Sequence, residues 1–294
     1  MYRKFCFLFL AVTSIIVAIG CAAPIVFDET GAEFGIMEIL VFDVGNADAI
    51  LITTHGHTVM IDTGEEEHGS KIVAHLNENG ITSIDYLIIT HFDRDHVGGA
   101  AEIIRDIEVQ EIITPHYRRA SRHYLRFVQA MEEAGIEPIV LKRSTQLEFI
   151  LDDIIFTTYA SDLDFHEYII GEDYSHLPNV NNFSLVTSIS HGNNHFLFTG
   201  DARASRIREM LSTASIVNTD FDFLKVPHHG RYSRRSVEFI NHIRPRYAVI
   251  TCSPDRPAHP QVIKALAAVD AEVFFTQNGS ILSRSDGNKL IVAH

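Results

Sequence analysis

Cysteine is scarce in this chain. Of 294 residues only Cys6, Cys21 and Cys252 are cysteines, and the first two fall in an apolar amino-terminal stretch. Beyond a pairing with Cys21 no disulfide is available, and no zinc-thiolate framework exists. Any metal must therefore be held by nitrogen and oxygen. Cys252 ends an apolar run and reads as a small buried side chain. Proline is also sparse, with 9 residues against 46% hydrophobic content, which argues for a folded chain with a sizeable core rather than disorder. Basic side chains are outnumbered 24 to 38, and the formal charge of -14 opposes broad attraction to nucleic acid or anionic lipid. A polyanion would have to be met by a local basic patch. Histidine, in contrast, is abundant: 17 residues, roughly twice average usage, supply metal-ligand capacity.

A long hydrophobic run is lacking as well. The only extended one is Phe5 to Ile19, preceded by Arg3 and Lys4 and followed by Gly20-Cys21. A membrane span needs about 20 apolar residues, so residues 1–20 read as an export signal, with an uncleaved anchor as the alternative. The A18-I-G-C21 sequence resembles a bacterial lipobox, which implies lipidation of Cys21, an extracytoplasmic location and tethering to the membrane through that lipid. Residues 21–35 form a tether and 36–294 one folded domain.

Within that domain strands and helices alternate. Ile36 to Asp43, Ala49 to Thr53 and His57 to Thr63 are strand-like, the last ending in D62-T-G64. Gly69 to Asn79 has helical spacing closed by Asn79-Gly80. Tyr86 to Thr90 reads as a buried strand, and the alternation continues to strands near Glu272, Gly279 and Lys289. Ser161 to Asn182 has no period and reads as a long loop of the kind that carries function. H191-G-N-N194 is a hairpin signal. The pattern predicts an α/β fold with two mixed sheets sandwiched by outer helices.

The stretch T90-H-F-D-R-D-H-V-G-G99 places two histidines and two aspartates within six residues. Such crowding needs water or a cation. On a segment leaving a strand, His91 and Asp93 can point one way, while Asp95 and His96 curl back towards a second point. One segment can thus serve two cations, and Gly98-Gly99 lets the chain turn tightly behind it.

This cluster resembles the HxHxDH motif of the metallo-β-lactamase superfamily with aspartate at the second histidine position, a variant similar to the extracellular nuclease-like domain of the ComEC DNA-uptake proteins. D62-T-G64, F198-T-G-D201, L224-K-V-P-H-H-G230 and Ala258-His259-Pro260 with Q277-N-G-S-I281 resemble further motifs in order. The resemblance implies the αββα sandwich and a pair of divalent metal ions. His91 and Asp93 would help hold one; Asp95 and His96 would hold the other, with Asp201 bridging and His228 completing the second site. Asp62 would orient a ligand histidine by accepting its other N–H. One strand end is expected to aim only one of two adjacent histidines at the site, so His228 is the expected ligand and His229 faces substrate. P178-N-V-N-N-F-S184 lacks the histidine expected there; Asn182, or Asn181, takes its place. His176 is an outside candidate, and His191 and His195 read as surface residues at a hairpin tip. Oxygen-rich ligation makes manganese or magnesium as reasonable as zinc.

Paired cations suit in-line hydrolysis at phosphorus, with Asp95 also able to orient the nucleophile. His259 reads either as an acid or phosphate contact, or as a helix cap. Lys225 would bring positive charge to a phosphate if turned inward, and is otherwise a solvated strand end. The run H116-Y-R-R-A-S-R-H-Y-L-R126 and R231-Y-S-R-R235 flank these loops and suit a single-stranded backbone. The expected substrate is a phosphodiester, single-stranded DNA among them. The alternatives are hydrolysis of another ester, such as a phosphocholine ester or a lactone, and a surface protein that binds metal without catalysis.

Overall fold

A computed structural model describes residues 34–163 and 179–294. The expected export signal, Cys21 and His176 lie outside the described residues. The early apolar runs fold as antiparallel strands β1 (Met37–Val41), β2 (Ala49–Thr53) and β3 (Thr58–Thr63). After α1 (Gly69–Glu78) the chain switches to parallel crossovers: β4 (Ser83–Ile88), the short α2 (Arg94–Val97), α3 (Ala100–Asp106), β5 (Glu108–Pro115), α4 (Arg122–Ala134) and β6 (Ile139–Leu141). The second half repeats this plan. β7 (Gln146–Leu151), β8 (Ile154–Tyr159), β9 (Val186–His191) and β10 (Asn194–Phe198) are antiparallel. α5 (Ala204–Met210), α6 (Ala214–Val217), β11 (Phe223–Lys225), α7 (Ser236–Ile243), β12 (Tyr247–Ile250), α8 (Pro260–Ala268) and β13 (Glu272–Phe275) follow, with β10 to β13 parallel. β14 (Ile281–Ser285) and β15 (Leu290–Ala293) return to β1.

Two mixed sheets result, ordered β15-β14-β1-β2-β3-β4-β5-β6 and β13-β12-β11-β10-β9-β8-β7. Strand alternation puts Ile39, Ile50, Ile61 and Ile88 against Ile189, Phe196, Phe198 and Val249 between the sheets. The outer face of the first sheet, with Leu51, Met60 and Leu87, is covered by Leu76 of α1, Ile103 of α3 and Phe127 of α4. That of the second, with Leu197 and Leu224, is covered by Ile207, Phe239 and Leu266. The αββα sandwich expected from the sequence is the observed architecture. Local chemistry sets the helix ends: Ser121 Oγ accepts from the Tyr124 amide at the start of α4, and Gly135 closes it at φ 69°. Among the described residues no helix is long and apolar enough to cross a membrane.

Three local expectations change. The segment after β4 is not all loop, since Arg94–Val97 forms a helical turn that carries Asp95 and His96. Gly98 and Gly99 adopt ordinary right-handed angles, so their requirement is space and not a tight turn. A Cβ on Gly98 would lie 2.6 Å from the Glu66 backbone nitrogen, and one on Gly99 2.5 Å from the Thr63 carbonyl. His191 is fully buried rather than on the surface, with Nδ1 2.9 Å from Ser285 Oγ. Its hairpin tip docks on the β14–β15 turn, where the Asn193 amide donates to Gly287 O. His195, half-buried, bonds Ser190 Oγ. Both sit at the opposite end of β10 from Asp201.

Candidate metal centre

The carboxyl ends of β3, β4, β10, β11 and β12 meet at one rim, where loops from both sheets converge. Strand ends leave backbone groups and short loops free to hold polar side chains, which is why open parallel sheets place sites there. Asp201, buried just beyond β10, lies at the centre. Its Oδ1 is 3.3 Å from His96 Nε2 and 3.2 Å from His229 Nε2, and His229 Nε2 is 3.6 Å from Asp95 Oδ2. Its other oxygen, Oδ2, is 4.0 Å from His91 Nε2, 3.7 Å from His228 Nε2 and accepts from Asn181 Nδ2 at 3.1 Å. His91 Nε2 is also 3.6 Å from Asp93 Oδ2. Asp201 thus separates two groups, one around each carboxylate oxygen.

The donor set fits divalent cations. His91, His96 and His229 each engage a polar oxygen through Nδ1. His96 Nδ1 lies 2.7 Å from Asp62 Oδ2, His91 Nδ1 3.1 Å from Thr90 Oγ1, and His229 Nδ1 3.0 Å from Thr251 Oγ1. Thr90 Oγ1 donates its own proton to Asp62 and Thr251 Oγ1 donates its proton to Asp48. In its neutral form each ring therefore keeps its proton on Nδ1 and turns the Nε2 lone pair inward, the tautomer a metal requires. All three Nε2 atoms and Asp201 Oδ1 are buried without a hydrogen-bond partner. Buried polar atoms are rarely left so, and divalent cations would satisfy them.

Electrostatics agree. Asp48, Asp62, Asp93, Asp95 and Asp201 bring five carboxylates to the rim, against the permanent cations Lys225 and Arg119. Burial alone would raise the Asp201 and Asp95 carboxyls, but the neighbouring histidines hold both well below the usual carboxylate range. Conversely, burial opposes the His229 cation, yet Asp201 and Asp48 raise its pKa to about 10, and Asp201 and Asp62 raise His96 well above its ordinary value. Such a site draws in positive charge, as protons or as metal. His228, nearer the surface, behaves differently: burial, against the pull of Asp201, pushes it down to about 4.

A sequence model of the metallo-beta-lactamase superfamily matches residues 42–253, which include most strands of both sheets and every residue of this centre. The chain belongs to the metallo-beta-lactamase superfamily. It is 28% identical over 269 residues to ComE operon protein 3 of Bacillus subtilis, covering 84% of this chain and 33% of that protein. It is likewise 28% identical to Recombination protein 2 of Haemophilus influenzae, over 71% of this chain and 23% of that one. This chain thus spans a third or less of the curated relatives it matches. In fold it is similar to YhfI of Bacillus subtilis (TM-score 0.52, 12% identity, 83% of this chain and 98% of that one). A metal-dependent hydrolase of the beta-lactamase superfamily gives a TM-score of 0.54 at 12% identity, over 84% and 98% of the two chains.

Against this superfamily centre several sequence expectations need correction. His228 and His229 both reach Asp201, because two consecutive left-handed residues (φ 53° and 54°) curl the chain after β11. His229, 1% exposed, sits with Asp95, His96 and Asp201, the place assigned to His228; it is not turned towards solvent. His228 sits on the other side. Asn182 is directed away, its Oδ1 accepting from the Arg206 amide, while Asn181 contacts Asp201. The turn Val180–Phe183 settles which amide faces inward. Lys225 does turn inward, but it is fully buried, pairing with Asp48 Oδ2 and donating to Gly200 O at 3.2 Å. It cannot touch a phosphate at the open rim. His259 is exposed and caps α8, with Nδ1 accepting from the Gln261 amide at 3.2 Å. Its ring stacks near Tyr232, centroids 5.3 Å apart, and its amide donates to Gly230 O.

The basic run is largely spoken for. Arg122 and Arg126 pair with Glu66, and Arg119 pairs with Asp93 Oδ1. Asp62 accepts from the Thr90 amide and hydroxyl as well as from His96. Asp48, Thr90 and Thr251 were not expected. Asp48 had a readable signal, since a carboxylate opening the apolar run Ala49 to Ile52 needs a buried partner. Thr251, at the end of β12, gave none.

Proposed function

We propose that this protein is a metal-dependent hydrolase that cleaves phosphodiesters with a pair of divalent cations, exported and tethered through a lipid on Cys21. The observation that carries the reading is the convergence of three inward-facing, unpartnered histidine Nε2 atoms on the two oxygens of Asp201. His91, Asp93 and Asp201 would hold one cation, with His228 and Asn181 beside it; Asp95, His96, Asp201 and His229 would hold the other. Zinc or manganese suits this mixed set, and magnesium the oxygen-rich side. Two divalent cations there would supply Lewis-acid activation of water and stabilise both oxygens of an in-line displacement at phosphorus.

The chain's own residues do the rest. Asp95, partly exposed and held ionised, orients the attacking water and accepts its hydrogen bond. Asp62, Thr90 and Thr251 fix ring orientation. Arg119, 23% exposed beside Asp93, keeps guanidinium donors at the rim where a substrate phosphate would arrive. His259 and Tyr232 flank the opposite side of the His228–His229 turn and suit a leaving-group or phosphate contact. The name of one relative, Recombination protein 2 of Haemophilus influenzae, supports nucleic acid as the phosphodiester, single-stranded DNA included.

The test is a panel of phosphodiesters, from bis-p-nitrophenyl phosphate to single-stranded DNA and phosphocholine esters, assayed with manganese, magnesium and zinc. Asp201→Ala is the control. Turnover lost in a folded Asp201→Ala protein supports the reading; retained turnover rules out a bridging role.

A further inference from the structure

The two positions beside Asp201 differ in what stands behind their ligands, and the difference is one of charge. At the Oδ1 position, His96 is held by Asp62, whose partners are Thr90 and His96 itself, so that no cation offsets this carboxylate. His229 is held by Thr251, which passes its proton to Asp48 at 2.6 Å; Asp48 Oδ1 also lies 3.4 Å from His229 Nδ1. Lys225 and Asp48 are both buried to within 1% exposure, so the pair makes a fixed support that neither water nor substrate reaches. The backbone reinforces it, because the Asp48 amide donates to Asp95 O and Gly64 N donates to Asp48 O. One residue therefore ties the Asp62 turn, the Asp95 loop and the His229 turn together. Histidines backed by carboxylates are stronger donors and are fixed in orientation.

At the Oδ2 position the supports are weaker. His91 Nδ1 is held by the Thr90 hydroxyl, which donates in turn to Asp62, but unlike His96 and His229 it has no carboxylate directly beside Nδ1. Asp93, the anionic ligand of that side, already gives one oxygen to Arg119, and its side chain is 28% exposed. His228 Nδ1 is buried without a hydrogen-bond partner. A cation arriving here must share Asp93 with a guanidinium and relies on one imidazole backed by a carboxylate only through a hydroxyl and another whose Nδ1 has no partner.

Resting on the two-cation reading, we propose that the centre is built asymmetrically. The Asp95, His96, Asp201 and His229 position holds a resident cation, through the buried Asp48–Thr251–Lys225 support. The His91 and Asp93 position takes an exchangeable one, weakened by Arg119. Asp48, Thr251 and Arg119 are then positioning residues that set the order of filling.

The test is stepwise titration of the full, metal-free protein with Mn²⁺, using calorimetry against a competing chelator. Paramagnetic resonance distinguishes isolated from exchange-coupled Mn²⁺. The expected result is two steps of different affinity, with an isolated-ion spectrum at one equivalent and coupling only at two. Asp48→Asn combined with Lys225→Met, which removes both buried charges, should weaken the tighter step by about 10-fold or more and spare the weaker. Thr251→Val, which keeps both charges and removes the relay, should act on the same step, so a folding defect in one variant does not end the test. Arg119→Met should tighten the weaker step alone. Simultaneous uptake of two ions with coupling from the first addition overturns the asymmetry, as does weakening of the weaker step by Arg119→Met. Failure to bind any cation overturns the two-cation reading itself.

Discussion

Replacing Asp62 by Asn isolates the support of one ligand without disturbing the backbone. Asp62 sits at φ 57°, a left-handed conformation that Asn adopts as readily as Asp, so strain is not introduced. What changes is the donor count. Asp62 Oδ1 accepts from the Thr90 amide at 2.8 Å, and Oδ2 accepts from Thr90 Oγ1 at 2.6 Å and from His96 Nδ1 at 2.7 Å. An amide that keeps its oxygen on the Thr90 amide must turn its NH₂ towards two donors. His96 then gains by moving its proton to Nε2, the atom that faces Asp201 at 3.3 Å, and the lone pair a cation needs is lost. Loss of such a support costs about 10- to 100-fold in metal affinity, equivalent to roughly 1.4 to 2.8 kcal/mol. The buried mismatch costs about 1 to 3 kcal/mol of fold stability besides. Chelator competition with Zn²⁺ or Mn²⁺ measures the first quantity, and denaturant unfolding in EDTA the second. An Asp62→Asn protein with unchanged cation affinity would refute the tautomer argument for all three histidines.

Other perturbations follow the same physics. Lys225→Met removes the ammonium paired with buried Asp48 and leaves only partial compensation from the imidazolium of His229 close to it, which should cost about 3–5 kcal/mol in urea unfolding of the metal-free protein; adding Asp48→Asn should restore most of it. In metal-free protein, His96 and His229 hold protons more tightly folded than unfolded. Their contribution to stability is present below the ordinary histidine pKa of about 6.5 and is lost as pH rises through the folded values, about 10 for His229. Melting temperature in EDTA should therefore fall across that window. The opposite trend would remove the claim that Asp201 holds these imidazoles charged. Gly98→Ala drives a Cβ to 2.6 Å from the Glu66 nitrogen and 2.7 Å from the Glu65 carbonyl carbon, backbone atoms that cannot rotate away. Overpacking of this kind costs about 1–3 kcal/mol and should shift the urea midpoint while displacing Asp95 and His96.

Much of the sandwich was legible along the chain. β2 runs from Ala49 to Thr53, the residues that the apolar pattern marks, because strand and helix periods are local properties. The crowding of His91, Asp93, Asp95 and His96 showed itself for a similar reason, since four charged or ligating groups beside an apolar strand demand an explanation. The helical turn Arg94–Val97 was less visible: four residues carry no measurable period. The exposure of His191 was misjudged because what buries it, the Gly287 turn, lies about a hundred residues downstream.

Composition and spacing by themselves determined the layered fold and the nitrogen and oxygen character of any metal site, while Asp62 and Asp201 stood out only through the resemblance of their motifs to those of the superfamily. Tertiary structure alone decided the pairings. It chose Asn181 over Asn182, brought His229 beside His96, and sent Lys225 to Asp48 instead of to the open rim. Those choices depend on backbone angles at single residues, such as the two left-handed histidines, and on a buried carboxylate and a lysine 177 positions apart in the chain. Residue order does not encode the direction of a side chain at a turn, and a buried charge takes its partner from whatever the folded layers bring within reach.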